Sequence, residues 1–338
     1  MIRQSSIGVF LLVTISITAF AASPLHLTNG QLELEVRPEQ AGRITSLRLR
    51  GGENILHSGN ASLTDTSLPK LIYDKNNFLR LHGHIVWLSP QTEWWQQQDA
   101  EKVPRTESAT WPPDPYWEFS KFAIVAQDEY HVVLRSNHSP FSGVTMTKEV
   151  RLAAKDRVLL KTTITNTGDH TVKWGIWSNT CISGNAVVYV QPQPRQELRF
   201  EFSSWESPQE QPLRFDTWEE LIRFPSVAGQ YIPKNGTLAG KLFLHPLRPV
   251  IIAFINGTVF IKKTTAVAAS KIAPGHRQIE IFGKKYYSAV QSFYELEFHG
   301  EYVNLSPGCS VCLEETWILR SGSHPANREE VLKLFKEI

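Results

Sequence analysis

Three cysteines and two methionines are all the sulfur that 338 residues carry. Three cysteines cannot build a disulfide scaffold. A structural zinc site of the paired Cys-x-x-Cys kind is excluded too, because Cys309-Ser310-Val311-Cys312 has no second pair. Charge of one sign is also missing, with 35 Lys+Arg against 33 Asp+Glu. No strong field draws the chain to nucleic acid or to an anionic membrane. Beyond the first twenty residues no apolar run approaches the roughly 20 residues that a spanning helix needs. Internal repeats, linkers and low-complexity tracts are absent, and helical periodicity is scarce.

The one long apolar run is at the start. Arg3 precedes Ile7–Phe20, and Ala19-Phe20-Ala21 has the small-x-small form of a cleavage site. The expectation is a signal peptide over residues 1–21 and an exported, periplasmic or secreted protein whose 22–338 form a single domain. No cysteine follows the run, so a lipid anchor at the cleavage point is not expected. Export permits one disulfide. Cys309 and Cys312 fall three apart on an apparent strand and point to opposite faces. The alternatives are a buried free thiol or a bridge from one of them to Cys181.

What remains reads as β throughout. Leu32–Val36 and Ile44–Leu49 alternate apolar and polar residues, the period of a half-buried strand. Val132–Leu134, Val144–Leu152, Val158–Thr165, Ser292–Phe298 and Val311–Leu319 are further strands. Asn235-Gly236 and Asn256-Gly257 signal hairpins. Two helices are expected: a short one capped by Asp216 and stopped before Pro225, and a C-terminal one over Pro325–Lys336 with Val331, Leu332, Leu334 and Phe335 on its apolar face. Short strands at regular spacing predict an all-β sandwich, not a parallel α/β sheet.

Several segments together carry a resemblance. They are Asn29–Val36 followed by Gly42–Leu47; Leu81-His82-Gly83; Leu159–Asn166 followed by Thr171–Thr180; and Leu305–Gly308 running into Glu314–Trp317. Together they resemble the galactose mutarotase-like (aldose 1-epimerase-like) superfamily, most closely an uncharacterised bacterial domain-of-unknown-function branch. The resemblance implies a large antiparallel β-supersandwich and a sugar or glycan ligand. It also implies a catalytic His82 over the sugar ring and a glutamate base on a late strand, Glu295 or Glu297. Where epimerases carry Thr-Asn-His, this chain has Ser178-Asn179-Thr180, so Thr180 stands at the place of the acid. A threonine hydroxyl does not serve as a general acid near neutral pH.

The residues add their own constellations. Period two puts Glu295 and Glu297 on one strand face, either solvated or lining a cleft where each raises the other's pKa. His82 and His84 are expected to share a face by the same rule; a metal there would need a third ligand that the sequence does not place, and no cofactor is expected. Half of the ten tryptophans fall between Trp87 and Trp117. Indole faces stack on pyranose C–H faces, so at least two of Trp94, Trp95 and Trp117 are expected to line a cleft, with Trp87, Arg43, His84, Asn179 and Thr180 as further sugar contacts. The leading reading is an exported carbohydrate-binding protein of mutarotase-like fold, aldose epimerase-like but with the second catalytic histidine replaced. The alternatives are a non-catalytic envelope module binding glycan or protein, and a glycan lyase or hydrolase. Oligomeric state is left open.

Overall fold

The computed structural model describes residues 24–58, 68–72, 78–94, 111–202, 210–287 and 292–338. The expected signal peptide and Trp95 therefore lie outside the described residues. Two sheets face each other, antiparallel in every described pairing except that of β12 (Glu210–Pro212) with β15 (Thr237–Leu244). The first runs, in spatial order, β1 (Leu25–Thr28), β2 (Leu32–Arg37), β3 (Arg43–Leu49), β4 (His84–Ser89), β9 (Val172–Ser183), β19 (Ser292–His299), β18 (Ile279–Tyr286), β15 (Thr237–Leu244) and β11 (Arg199–Glu201). Two short strands flank it, β12 (Glu210–Pro212) on β15 and β20 (Val303–Leu305) on β9. The second runs β13 (Asp216–Trp218), β14 (Leu221–Phe224), β10 (Val187–Pro192), β16 (Pro246–Ile255), β17 (Thr258–Thr264), β21 (Ser310–Ser321), β8 (Arg157–Asn166), β7 (Val144–Ala154), β6 (His131–Arg135) and β5 (Ala123–Gln127). This is the galactose mutarotase-like β-sandwich that the resemblance implies. The seven strands expected from the sequence are all present, with every end within two residues of the expected one.

Alternation decides what goes between the sheets. In β9 the even positions Trp174, Ile176, Ser178, Thr180 and Ile182 turn inward, and Trp177, Asn179 and Cys181 turn to the other face. Most of the core is apolar and fully buried. It also holds an ion pair: Lys262 of β17 reaches Glu315 of β21 at 3.3 Å and crosses to the first sheet, donating to Ser178 Oγ at 3.0 Å and to the Leu296 carbonyl at 2.9 Å. An ammonium removed from water needs such partners, and these bind the two layers to each other.

Several expectations are corrected. Asp216–Phe224 is a strand pair, β13 and β14, not a helix, and Arg223 donates back to Asp216 at 2.8 Å across it. Asn256-Gly257 does turn β16 into β17, both residues with positive φ. Asn235, also at positive φ, instead leads into β15, whose partners β18, β11 and β12 are not its neighbours in the chain on the turn's near side. Leu159–Asn166 and Thr171–Thr180 do fall on two strands, β8 and β9, one in each sheet. The C-terminal helix, α2 (Arg328–Glu337), is capped by Asn327 rather than opened by Pro325, and packs Val331 and Phe335 on the outer side of the second sheet. A short helix, α1 (Pro115–Phe119), has no counterpart in the sequence reading. All three cysteines are free, with Cys181 buried and Cys309 and Cys312 exposed. No helix among the described residues is long and apolar enough to cross a membrane.

One contact anchors the first sheet to the segments above it. Arg43, 1 % exposed, pairs with Glu118 of α1 at 2.7 Å and donates to the His82 carbonyl at 2.6 Å. A planar fork serves both partners at once, which a lysine ammonium on a flexible stem does not reproduce. Arg43→Lys is therefore expected to lower stability by about 2 kcal/mol, read as a lower urea midpoint with an unchanged slope. An unchanged midpoint would mean that the pair does not hold these segments.

Candidate functional site

The outer face of the first sheet is where chemistry collects. Cross-strand register sets it out in rows: Trp87 opposite Trp177, Ile85 opposite Asn179, Asn179 opposite Glu297, Cys181 opposite Glu295, and beyond them Glu280 and Phe282 of β18 opposite Glu297 and Glu295. All project to the same side. Residues 78–82 and 111–119 lie over this face. A cavity opens between them and the sheet, lined by Arg43, His82, Trp87, Asn179, Cys181 and Glu295, with Phe78, Trp111, Phe282 and Phe293 as aromatic walls.

His82 enters it because of an unusual backbone. It has φ 53° and Gly83 has φ 73°, two consecutive residues in the left-handed region. Gly83 is required here: a Cβ would sit 2.5 Å from the Ile44 carbonyl oxygen. The Gly83 N–H donates to the His57 carbonyl and its carbonyl accepts from the Cys181 N–H, each at 2.8 Å. This double turn cancels the period of two. His82 and His84 therefore do not share a face. His84 goes inward, bonds Thr180 Oγ1 at 3.0 Å and meets Trp317 edge-on in the core. Thr180 is likewise wholly buried between the sheets, away from the cavity.

Within the cavity the His82 ring sits against His57 and Phe293. Cys181 Sγ lies 3.6 Å from His82 Nδ1 and 3.7 Å from Glu295 Oε1, so the thiol bridges the histidine and the glutamate. Burial, with the nearby His57, Arg43 and Arg80, pushes the His82 pKa down to about 3, and it is neutral near pH 7. Burial and the charge of Glu297 push Glu295 up to about 7. Burial raises the Cys181 thiol well above its usual value, helped by Glu295.

Glu297 is not in the cavity. It is fully buried one row along, accepting from Lys241 at 2.7 Å and from Trp177 Nε1 at 2.8 Å. Lys241 also pairs with Glu280 at 2.6 Å, and Glu280 takes His276 Nδ1 at 3.0 Å and lies 3.4 Å from His299. Burial opposes the charge of Lys241, but the two carboxylates outweigh it and hold the ammonium protonated. The two glutamates of β19 share a face as the period demands, yet occupy different environments.

The tryptophans divide differently from the expectation. Trp94 and Trp117 are buried in the core; Trp94 packs on Trp87 and Trp177 and donates to the Leu88 carbonyl at 2.6 Å. Trp87, one of the expected contacts, lines the cavity together with Trp111, with its Nε1 tied to Glu118. Arg43 reaches the cavity edge, but its guanidinium is committed to Glu118 and His82. Cys181 was the site residue that the sequence reading missed. It lies two residues beyond Asn179 on the same strand, and period two would have placed it on the same face. A larger groove on the second sheet, about 490 Å³, is lined by Leu247, Arg248, Lys263, Glu314 and Ile338 and gathers no comparable acid, thiol and imidazole.

Solved structures of the same fold extend over most of the chain. A galactose mutarotase-like protein from Lactobacillus casei is 11 % identical with TM-score 0.51, over 88 % of this chain and all of its own. A galactose mutarotase related enzyme from Lactobacillus acidophilus is 8 % identical with TM-score 0.54, over 90 % and 100 %. The Slr1438 protein from Synechocystis sp. PCC 6803 is 12 % identical with TM-score 0.57, over 92 % and 100 %. At these identities the likeness concerns the fold. Comparison with curated proteins gives no match. The model of the family described as "Domain of unknown function (DUF4380)" matches residues 23–320, and the chain belongs to that family.

Proposed function

We propose that this protein binds a sugar across the mouth of the His82–Cys181–Glu295 cavity, and that Glu295 exchanges a proton with the bound sugar. The observation that carries the reading is the convergence of His82 and Glu295 on one aromatic-walled cavity of a mutarotase-like sheet. Rings such as Trp111 and Phe293 offer flat apolar faces to a pyranose. A neutral His82 can donate or accept a hydrogen bond at a hydroxyl. Glu295 titrates close to neutrality, where a carboxyl group works in both directions as acceptor and donor.

Mutarotation needs an acceptor for the anomeric hydroxyl proton and a donor for the ring oxygen as the C1–O5 bond opens. Glu295 supplies the first. For the second, the described lining residues offer no imidazolium or ammonium, since His82 stays neutral and Thr180 faces the core. Binding is therefore the principal activity, and epimerisation of free glucose or galactose is weak.

Intrinsic fluorescence is expected to change on titration with a mono- or oligosaccharide from a broad panel, and Trp111→Ala to weaken that binding about fivefold, the equivalent of the ~1 kcal/mol an aromatic contact contributes. Silence across the panel would leave the protein-binding envelope module as the better reading.

Polarimetry of freshly dissolved α-glucose and α-galactose is expected to show at most a slight acceleration, abolished in Glu295→Gln while sugar binding persists. Acceleration that survives this change would remove Glu295 from the mechanism.

Export is part of the same proposal, supported by Arg3, the apolar run Ile7–Phe20 and the small residues at Ala19 and Ala21. N-terminal sequencing of protein recovered from the periplasm or medium is expected to begin near Ala22; a mature chain retaining Met1 would contradict it.

A further inference from the structure

We propose that His82, Cys181 and Glu295 form a three-ligand site for a thiophilic divalent cation such as zinc, with the fourth position open to the cavity. The three side chains offer one nitrogen, one sulfur and one oxygen, all within 4.8 Å of one another. With Zn–S about 2.3 Å and Zn–N and Zn–O about 2.0–2.2 Å, the sulfur-to-nitrogen and sulfur-to-oxygen edges of a tetrahedron are each about 3.6 Å. The corresponding separations here are 3.6 Å for Cys181 Sγ to His82 Nδ1 and 3.7 Å for Cys181 Sγ to Glu295 Oε1. The remaining edge, between His82 and Glu295, closes toward about 3.4 Å as the ion seats.

The ligands stand on rigid supports. Cys181 and Glu295 are directly opposed on β9 and β19. His82 is fixed by its left-handed backbone, by Gly83 and by the bond from Arg43 to its carbonyl. The charge also fits. A thiolate and a carboxylate bring two negative charges, and a dication neutralises both. Of the cationic side chains near the ligands, Arg43 is engaged with Glu118, Lys241 with Glu280 and Glu297, and Arg80, which also lines the cavity, donates to Tyr286. The cavity beside the ligands is small, about 70 Å³, enough for an ion and a few waters. Three protein ligands and one open position is the pattern of a reactive rather than a closed zinc site.

The second group of this kind, His276, Glu280 and His299, is a weaker candidate. Lys241 already occupies the space beside its carboxylate at 2.6 Å, and His276 Nε2 accepts from the Gln91 N–H.

The inference does not rest on sugar binding, though it touches it. A carboxylate bound to metal is not free to take an anomeric proton, so metal loading and proton exchange by Glu295 exclude one another.

The experiment uses the mature protein with Cys309→Ser and Cys312→Ser, which removes the exposed thiols and leaves Cys181. Chelator-treated protein is titrated with Co²⁺ alone, without sugar. The expected result is a thiolate-to-cobalt charge-transfer band in the near ultraviolet that saturates at one ion per chain and is displaced by Zn²⁺. Cys181→Ala is expected to abolish the band, and His82→Ala and Glu295→Gln to weaken binding at least tenfold (about 1.4 kcal/mol), with circular dichroism reporting that each variant remains folded. Should Cys181→Ala fail to fold, Glu295→Gln with the thiol intact carries the test. No band, or one that keeps its strength in the folded variants, would overturn the site and reduce the 3.6 and 3.7 Å contacts to thiol hydrogen bonds. Neither outcome bears on the fluorescence titration with sugars.

Discussion

The buried Arg43–Glu118 pair is the constraint on which the cavity depends. A guanidinium and a carboxylate taken out of water are tolerated only when nearly every polar atom finds a partner. The fork of Arg43 answers to Glu118 and to the His82 carbonyl, and Glu118 takes Trp87 Nε1 on its other oxygen. Four elements are thereby fixed with respect to one another: β3, the turn at His82, β4 and α1. Because the His82 carbonyl is held, its ring is directed toward β9. A site with two residues in left-handed conformations is costly to order, and this pair is part of what stabilises it.

The sheet supplies the other half. Antiparallel register puts Cys181 opposite Glu295 and Asn179 opposite Glu297, so two carboxylates two residues apart meet different neighbours. Glu297 falls beside Lys241 and Trp177 and is neutralised there. Glu295 falls beside a thiol and a neutral imidazole and gets no cation of its own. One strand thus carries a charge-compensated carboxylate and one that faces the cavity beside a thiol, separated by environment rather than by sequence.

Much of the fold was legible because its strands obey period two and its turns carry the residues that turns require. The strand pair β2 and β3, the Asn256-Gly257 hairpin and the long β7, β8 and β21 are written in local alternation. Asp216–Phe224 misled because a capping Asp and a following Pro are shared by helix starts and by tight strand pairs; Arg223 lies directly opposite Asp216, whereas residues seven apart on a helix are separated by about 10.5 Å along its axis. Helix α1 was hidden by its length, five residues with prolines before it.

The site was legible in its parts and not in its assembly. Single positions could be named, His82 and Glu295 because the resemblance implies them and Arg43 because it follows the turn glycine Gly42. Their grouping depended on facts with no local signature. The face of His84 was reversed by the φ of two residues before it, and no alternation rule anticipates a left-handed histidine. Thr180 drew attention as the replacement of an acid, while the residue presented to the cavity is its neighbour Cys181, one position along and on the opposite face. A shift of one residue on a strand exchanges core for cleft, and that single step separates a threonine that holds His84 in the interior from a thiol that joins His82 to Glu295.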